Sequence, residues 1–326
     1  PPRLPQRRPV AVTEIRLRAM ASDVLVLLVE PTPDAVASIA DRLATLEQRW
    51  SRFVDTSDIS RLNRCGGAWT EVGTDTTRLL RVMQAAHEIT AGAYDPTFLH
   101  LLLTAGYSTS IDDADRISVV VDRRDASLSI HDLQIDSVRH RVRAPAGLSV
   151  DPGGIGKGFA ADLVVTELIG RGTAGALVSI GGDIAAAGTP PSGDGWIVHV
   201  DDPHDPGTHL TSLSVSGGGI ATSSTRSRRW TTGGQERHHV IDPITGDLSD
   251  TDLAAVTVIA PSGWLAEAHA TAAIVAGSSG AIDHLERHHL SGVVVDAAGA
   301  WTTTPDLADD LAAACTDVRP DERVAS

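Results

Sequence analysis

The stretch Val150–Val165, VDPGGIGKGFAADLVV, constrains the fold more than any other part of the chain. It places four glycines in six residues, one lysine among them, ahead of a run that reads as a helix. Backbone this bare suits a tight strand-to-helix turn. It also lets a phosphate or a flat ring approach the main chain at a helix N-terminus, where an anion is favoured. Two familiar phosphate motifs can be tested here, and one fails on counting, the other on context. A P-loop needs G-x-x-x-x-G-K-[ST]. Here Asp151 occupies the first glycine position, and Gly158 replaces the hydroxyl residue after Lys157. A dinucleotide fingerprint is met by Gly156, Gly158 and Ala161, but no alternating series of parallel strands and helices surrounds it.

Charge narrows the partners. The 326 residues carry a net charge of −15, which argues against nucleic acid or an anionic membrane as the main partner. An anionic ligand would need local cations or a metal. Hydrophobic residues make up 42% but aromatics only 3%, so the core is built from Ala, Val, Leu and Ile. Two distant cysteines, Cys65 and Cys315, indicate no disulfide framework. No apolar run reaches transmembrane length. The first residues are basic and proline-rich without a following apolar core, so a cytoplasmic location is expected for the chain as given, with an exported or membrane-surface mature form left open.

The pattern is mixed α and β. RAMASDVLVLLVE reads as one strand, and PTPDAVASIADRLATLEQRWSRF as a helix with Val36, Ile39, Ala40, Leu43, Leu46 and Trp50 near helical spacing. A second helix ends at Gly92, and ISVVVD, SLSIHD and RHRVRAP suggest a β ribbon. A helix follows Gly158, and GALVSIGGDIAAAG reads as strand, Gly-Gly turn and strand. Further strands, the helix GWLAEAHATAAIVAG and a hairpin in GVVVDAAGAWTTT follow. With no tandem repeat or linker, a single α+β domain is expected over residues 11–306. It would sit between a flexible segment at 1–10 and a loose acidic tail at 307–326.

Several polar groups could carry chemistry. Glu267 and Thr271 lie four apart on one helix face, a spacing that can offer oxygen ligands to a hard cation or place two polar residues in solvent. His238 and His239 are expected at the start of a strand and so on opposite faces. The segment GGIATSSTRSRRW could cradle an anion or form a polar hairpin.

In their order along the chain, these stretches resemble the ApbE family of flavin transferases. RAMASD is similar to the strand carrying the family's flavin-lining methionine, here Met20, and TSDISRLN to its S-[ED]-x-x-x-x-N segment, giving Asp58 and Asn63. GAYDPTF matches F-D-P-T, with Ala93, Tyr94 and Asp95 at the flavin. The glycine-rich stretch matches D-L-G-G-I-A-K-G-Y-A-x-D, giving Gly153, Gly156, Lys157, Phe159 and Asp162. VSIGGD, IATSS, HHVIDPITG and LAEAHAT supply Asp183, Thr222, His239 with Ile241, and Glu267 with Ala270 and Thr271.

The resemblance implies a compact α+β domain related to the T-fold, with mixed or antiparallel sheets flanked by helices. It implies a Mg²⁺-dependent enzyme that cleaves FAD, attaches FMN by a phosphoester to Thr or Ser of a partner flavoprotein, and releases AMP. Met20, Asn63, Ala93, Tyr94, Asp95, Gly153, Lys157, Phe159, Asp162, Asp183, Thr222 and Ile241 would then serve the flavin nucleotide. Glu267, Thr271 and the carbonyls of Gly156 and Ala270 would hold Mg²⁺, and His239 would take the acceptor proton. With an ordinary imidazole pKa of about 6.5, transfer would fail on the acid side of neutrality. A pyrophosphatase yielding FMN and AMP, or a flavin-binding protein without catalysis, are the alternatives. The chain departs from the family in three places. Glu267 stands where the family has aspartate, AMASD replaces A-M-G-T, and SSTRSRRW lacks the usual glycine and tyrosine.

Overall fold

The structure, a computed structural model, describes residues 10–308 apart from 111, 112, 114, 119–124, 193 and 233. Its first surprise is a turn. RAMASDVLVLLVE is not one strand: β1 (Val12–Ala19) and β2 (Ser22–Val29) pair antiparallel around Met20 and Ala21. Both turn residues hold φ of 53°, the left-handed conformation a two-residue hairpin requires and for which glycine or asparagine is the usual signal. The Met20 amide donates to the Glu47 carboxylate at 2.9 Å, which helps hold the turn.

Helix α1 (Pro33–Trp50) begins at Thr32, whose hydroxyl accepts from the Ala35 amide, with proline at the first turn where its missing N–H costs nothing. It buries Ala35, Ile39, Leu43, Leu46 and Trp50, while Ala40, expected inside, faces solvent. After it come α2 (Asp58–Asn63), β3 (Trp69–Glu71), α3 (Thr74–Ile89) and α4 (Leu99–Thr104). The expected ribbon is partly realised. β4 (Gln134–Asp136) and β5 (Arg141–Arg143) pair with each other and β5 with β3, but Ile130–Asp132 is a 3₁₀ turn. There Ser129 and Asp132 form a reciprocal capping box, which outcompetes the strand alternation of SLSIHD. Most of ISVVVD lies outside the described residues.

Helix α5 (Gly156–Gly170) starts three residues earlier than its pattern suggested. β6 (Gly175–Ile180) and β7 (Asp183–Gly188) form the expected hairpin, turning through Gly181 and Gly182 at φ 59° and 91°. Then come β8 (Trp196–Asp201), β9 (His209–Val215), β10 (Gly218–Ser224), β11 (Arg229–Thr232), β12 (Gln235–His238), β13 (Leu253–Ala260), α6 (Gly263–Ala276), α7 (Ala281–Arg287), β14 (Ser291–Asp296) and β15 (Trp301–Thr303).

One eight-stranded antiparallel sheet, ordered β1-β2-β6-β7-β10-β13-β14-β15, forms the spine. Helices α5 and α6 cover one face, and α1 packs on α5. The β8–β9 ribbon covers part of the other face, placing Trp196 and Val198 against Val29, Leu177 and Ile220. Helices α5 and α6 are apolar around most of their circumference because both are sandwiched. They approach so closely that a Cβ on Gly158 would stand 2.4 Å from the Gly263 carbonyl oxygen. The α+β architecture with helices flanking antiparallel sheets is as expected. The tail expected from residue 307 lies outside the described residues from 309 on, whereas Leu307 is buried. Among the described residues no helix is long and apolar enough to cross a membrane.

Candidate functional site

A cleft opens at the N-terminal end of α5. It has two continuous compartments, with empty volumes of about 850 and 1160 Å³, that share Asp151, Gly153, Gly154, Lys157, Arg228 and Glu267. Its floor is the glycine-rich turn. Gly154 has φ of 80°, and a Cβ there would stand 3.3 Å from the Tyr94 ring and 3.4 Å from the Thr271 hydroxyl. Only glycine fits on both counts. The Asp151 amide donates to the Pro96 carbonyl at 2.8 Å, tying this floor to the Ala93–Asp95 loop.

No side chain of the preceding residues caps α5. The Gly158 amide instead donates to Glu267 Oε2 at 2.8 Å, reaching across from α6. The other oxygen, Oε1, lies 3.8 Å from Lys157 Nζ, and Lys157 also pairs with the buried carboxylate of Asp183. Burial raises the Glu267 pKa against the pull of Lys157, and lowers that of Lys157 to about 8 against the pull of Glu267. Burial, with Glu267, Asp151 and Asp95 nearby, pushes Tyr94 well above 10, and its hydroxyl has no hydrogen-bond partner.

Met20 lines the smaller compartment and Gly156 its glycine side. Ala93, Tyr94, Asp95, Asp183, Thr222 and Ile241 line the larger one, with Thr271 and His239. Four sequence candidates stand outside. Asn63 exchanges two hydrogen bonds with the Val150 backbone, Nδ2 to the carbonyl at 2.9 Å and Oδ1 from the amide at 2.8 Å. Phe159 stacks on Trp50 with centroids 5.8 Å apart. Asp162 accepts from the Gly263 and Trp264 amides at 2.7 and 2.9 Å and caps α6. Ala270 is fully buried in the core between α6 and the sheet. Asn63, Phe159 and Asp162 thus hold the scaffold rather than line the cleft.

The two histidines need correction. β12 ends at His238 instead of beginning there, so strand alternation does not separate them. Their separation arises in the loop. His238 Nδ1 accepts from the Val240 amide, while the His239 ring lines the cleft with Nδ1 buried and unpartnered. Nor does His239 titrate near neutrality. Burial, then Arg228, His238 and Lys157, drive its pKa down to about 3, so the free protein holds a neutral imidazole there.

Sequence reasoning missed one wall. Arg52 lies 4.1 Å from the Phe53 ring centre and 4.6 Å from that of Tyr107, which stacks on Trp230 at 5.1 Å. Arg52 also reaches Asp151 at 3.4 Å. The only sequence hint is the arginine and aromatic in WSRF at the end of α1. Of the three arginines in the SSTRSRRW segment, Arg226, Arg228 and Arg229, Arg228 alone lines the cleft, and Arg229 pairs with Glu236.

The donors fit a hard divalent cation. The carboxylates of Asp95, Asp151, Asp183 and Glu267 gather in one cleft. The Thr271 hydroxyl gives its proton to the Glu267 carbonyl at 3.1 Å, which leaves its lone pairs for a cation. The neighbouring Ser223 hydroxyl is 3.3 Å away.

The model of the ApbE family matches residues 13–294. The FAD:protein FMN transferase of Treponema pallidum is 30% identical over 272 residues, covering 76% of this chain and 73% of that protein. Its Salmonella typhimurium counterpart is 31% identical over 175 residues, half of that protein's length. The crystal structure of an ApbE protein from Thermotoga maritima superposes with a TM-score of 0.79 at 23% identity, covering 91% of this chain and 98% of the other. The same fold, matched from the first strand of the sheet almost to its last, places the chain in the ApbE family.

Proposed function

We propose that the protein transfers FMN from FAD to a threonine or serine hydroxyl of an acceptor flavoprotein and releases AMP. The observation that carries this reading is the convergence of the Glu267 oxygen that no amide holds, its partner Lys157, Thr271 and the unpartnered His239 nitrogen on the open start of α5. The FAD diphosphate is the anion for which bare glycine backbone, Lys157 and Arg228 are suited. Tyr94 and Met20 offer apolar surface to the flavin ring. Glu267 and Thr271, with the Gly156 carbonyl as a further candidate, would hold Mg²⁺, which supplies charge withdrawal from phosphoryl oxygens. The acceptor oxygen forms a bond to the FMN phosphorus, and the bond from that phosphorus to the oxygen bridging to AMP breaks. The leaving AMP keeps the electron pair, and the hydroxyl proton passes to the neutral His239 ring. An incoming diphosphate raises the proton affinity of that ring by placing negative charge beside it.

Incubation with FAD, Mg²⁺ and an FMN-binding acceptor domain tests this by intact mass. One FMN phosphoester on the acceptor, with AMP released, is expected. AMP without labelled acceptor would make the protein a hydrolase, and retained FAD without turnover a binding protein. His239→Ala should slow transfer by roughly 10²–10⁴-fold with FAD binding kept, and His238→Ala much less.

A further inference from the structure

We propose that His269, His284 and His288 form a metal site separate from the cleft, one selective for a borderline transition ion such as Zn²⁺ over Mg²⁺. His269 projects from α6, His284 from α7, and His288 ends α7. One nitrogen from each ring lies within 4.8 Å of the other two, the one place among the described residues where three such donors converge. His269 Nδ1 and His284 Nε2 are 2.9 Å apart. A tetrahedral Zn²⁺ with bonds of 2.0–2.1 Å needs nitrogens about 3.4 Å apart, so small rotations of the rings suffice. The i, i+4 spacing puts His284 and His288 on one face of α7. His269 and His284 are buried, whereas His288 is half-exposed and gives an ion a way in.

A hydrogen bond between His269 and His284 would by itself account for two buried rings. It leaves the third unexplained: His288 sits 4.6 and 4.7 Å from the other two ring centres. The donor set also contrasts with the cleft. Three imidazoles and no carboxylate favour Zn²⁺, Co²⁺, Ni²⁺ or Cu²⁺, while the cleft offers hard oxygens. Three protein ligands leave a fourth position for water or a small anion. A bound ion would clamp α7 to α6 from behind the helix face that bears Glu267.

The test uses untagged full-length protein stripped of metal, titrated with Zn²⁺ and separately with Co²⁺. One equivalent of tightly held Zn²⁺ and the intense visible bands of four-coordinate Co²⁺ are expected, together with a higher melting midpoint in Zn²⁺. His288→Ala, and His288→Gln as a variant of closer size, should weaken binding by about 100-fold or more, beyond the 10–100-fold cost of losing an outer-shell partner. Glu267→Gln should keep the bands. No four-coordinate Co²⁺ spectrum in the unaltered protein would overturn the proposal. So would bands that survive loss of His288 or vanish with Glu267→Gln.

Discussion

Helices α5 and α6 cap one another, and the two caps differ by one oxygen. Asp162 of α5 spends both carboxylate oxygens on amides at the start of α6. Glu267 of α6 spends one on the start of α5 and keeps the other beside Lys157 in the cleft. Both caps answer the same need, since a helix start presents unpaired N–H groups and a partial positive charge. Burial raises the proton affinity of both acids, to about 6 for Asp162 and in the same direction for Glu267. A perturbed buried acid therefore does not by itself mark a reactive group here. What separates the two is the lone pairs left over after the backbone is satisfied.

The sharpest way to break this contrast is Glu267→Gln. The amide oxygen can still accept from Gly158, so melting should change little, while transfer at limiting Mg²⁺ should fall by about 10³-fold or more. Glu267→Asp, the aspartate of the motif that LAEAHAT resembles, should preserve or raise Mg²⁺ affinity in the same assay. Next in size is Gly158→Ala. Its methyl would meet the Gly263 backbone, and urea denaturation should register a loss of about 1–3 kcal/mol. Asp162→Ala should cost about 1–2 kcal/mol for the lost cap, with transfer per folded molecule unchanged. If Asp162→Ala abolished transfer in folded protein, the division of labour would be reversed.

A pH slope closes the series. Asp162 holds its proton to about pH 6 when folded, against an ordinary value of 3.8. Its contribution to stability is therefore full below about pH 4 and is lost as the pH rises through 6. Urea midpoints measured across that window should fall less in Asp162→Ala than in the unaltered protein.

Much of this was legible in the sequence. Gly181-Gly182 announced a hairpin, and the apolar runs after Lys157 and Gly263 announced buried helices, because glycine and periodicity encode local geometry directly. The Met20-Ala21 turn was not legible, since neither residue carries a turn signal and the conformation is imposed by pairing of β1 with β2. Motif order pointed to Glu267, Lys157 and His239, which line the cleft, and to Asn63, Phe159 and Asp162, which do not. A matched residue does not reveal which way its side chain points. The His239 pKa was misjudged because burial and the charges of Arg228 and Lys157 come from parts of the chain distant in sequence.

The meeting of Gly158 and Gly263 works as a fixed gauge. Where two backbones touch, no side chain remains to be trimmed, so the helices cannot move closer, and any enlargement wedges them apart together with the groups they carry. Lys157 and Glu267 each lie within a few residues of that contact. The span between cation and carboxylate can therefore be adjusted only by the reach of the side chains themselves. Glutamate at position 267, one methylene longer than the aspartate of the motif it resembles, is a difference of the one kind this geometry leaves free.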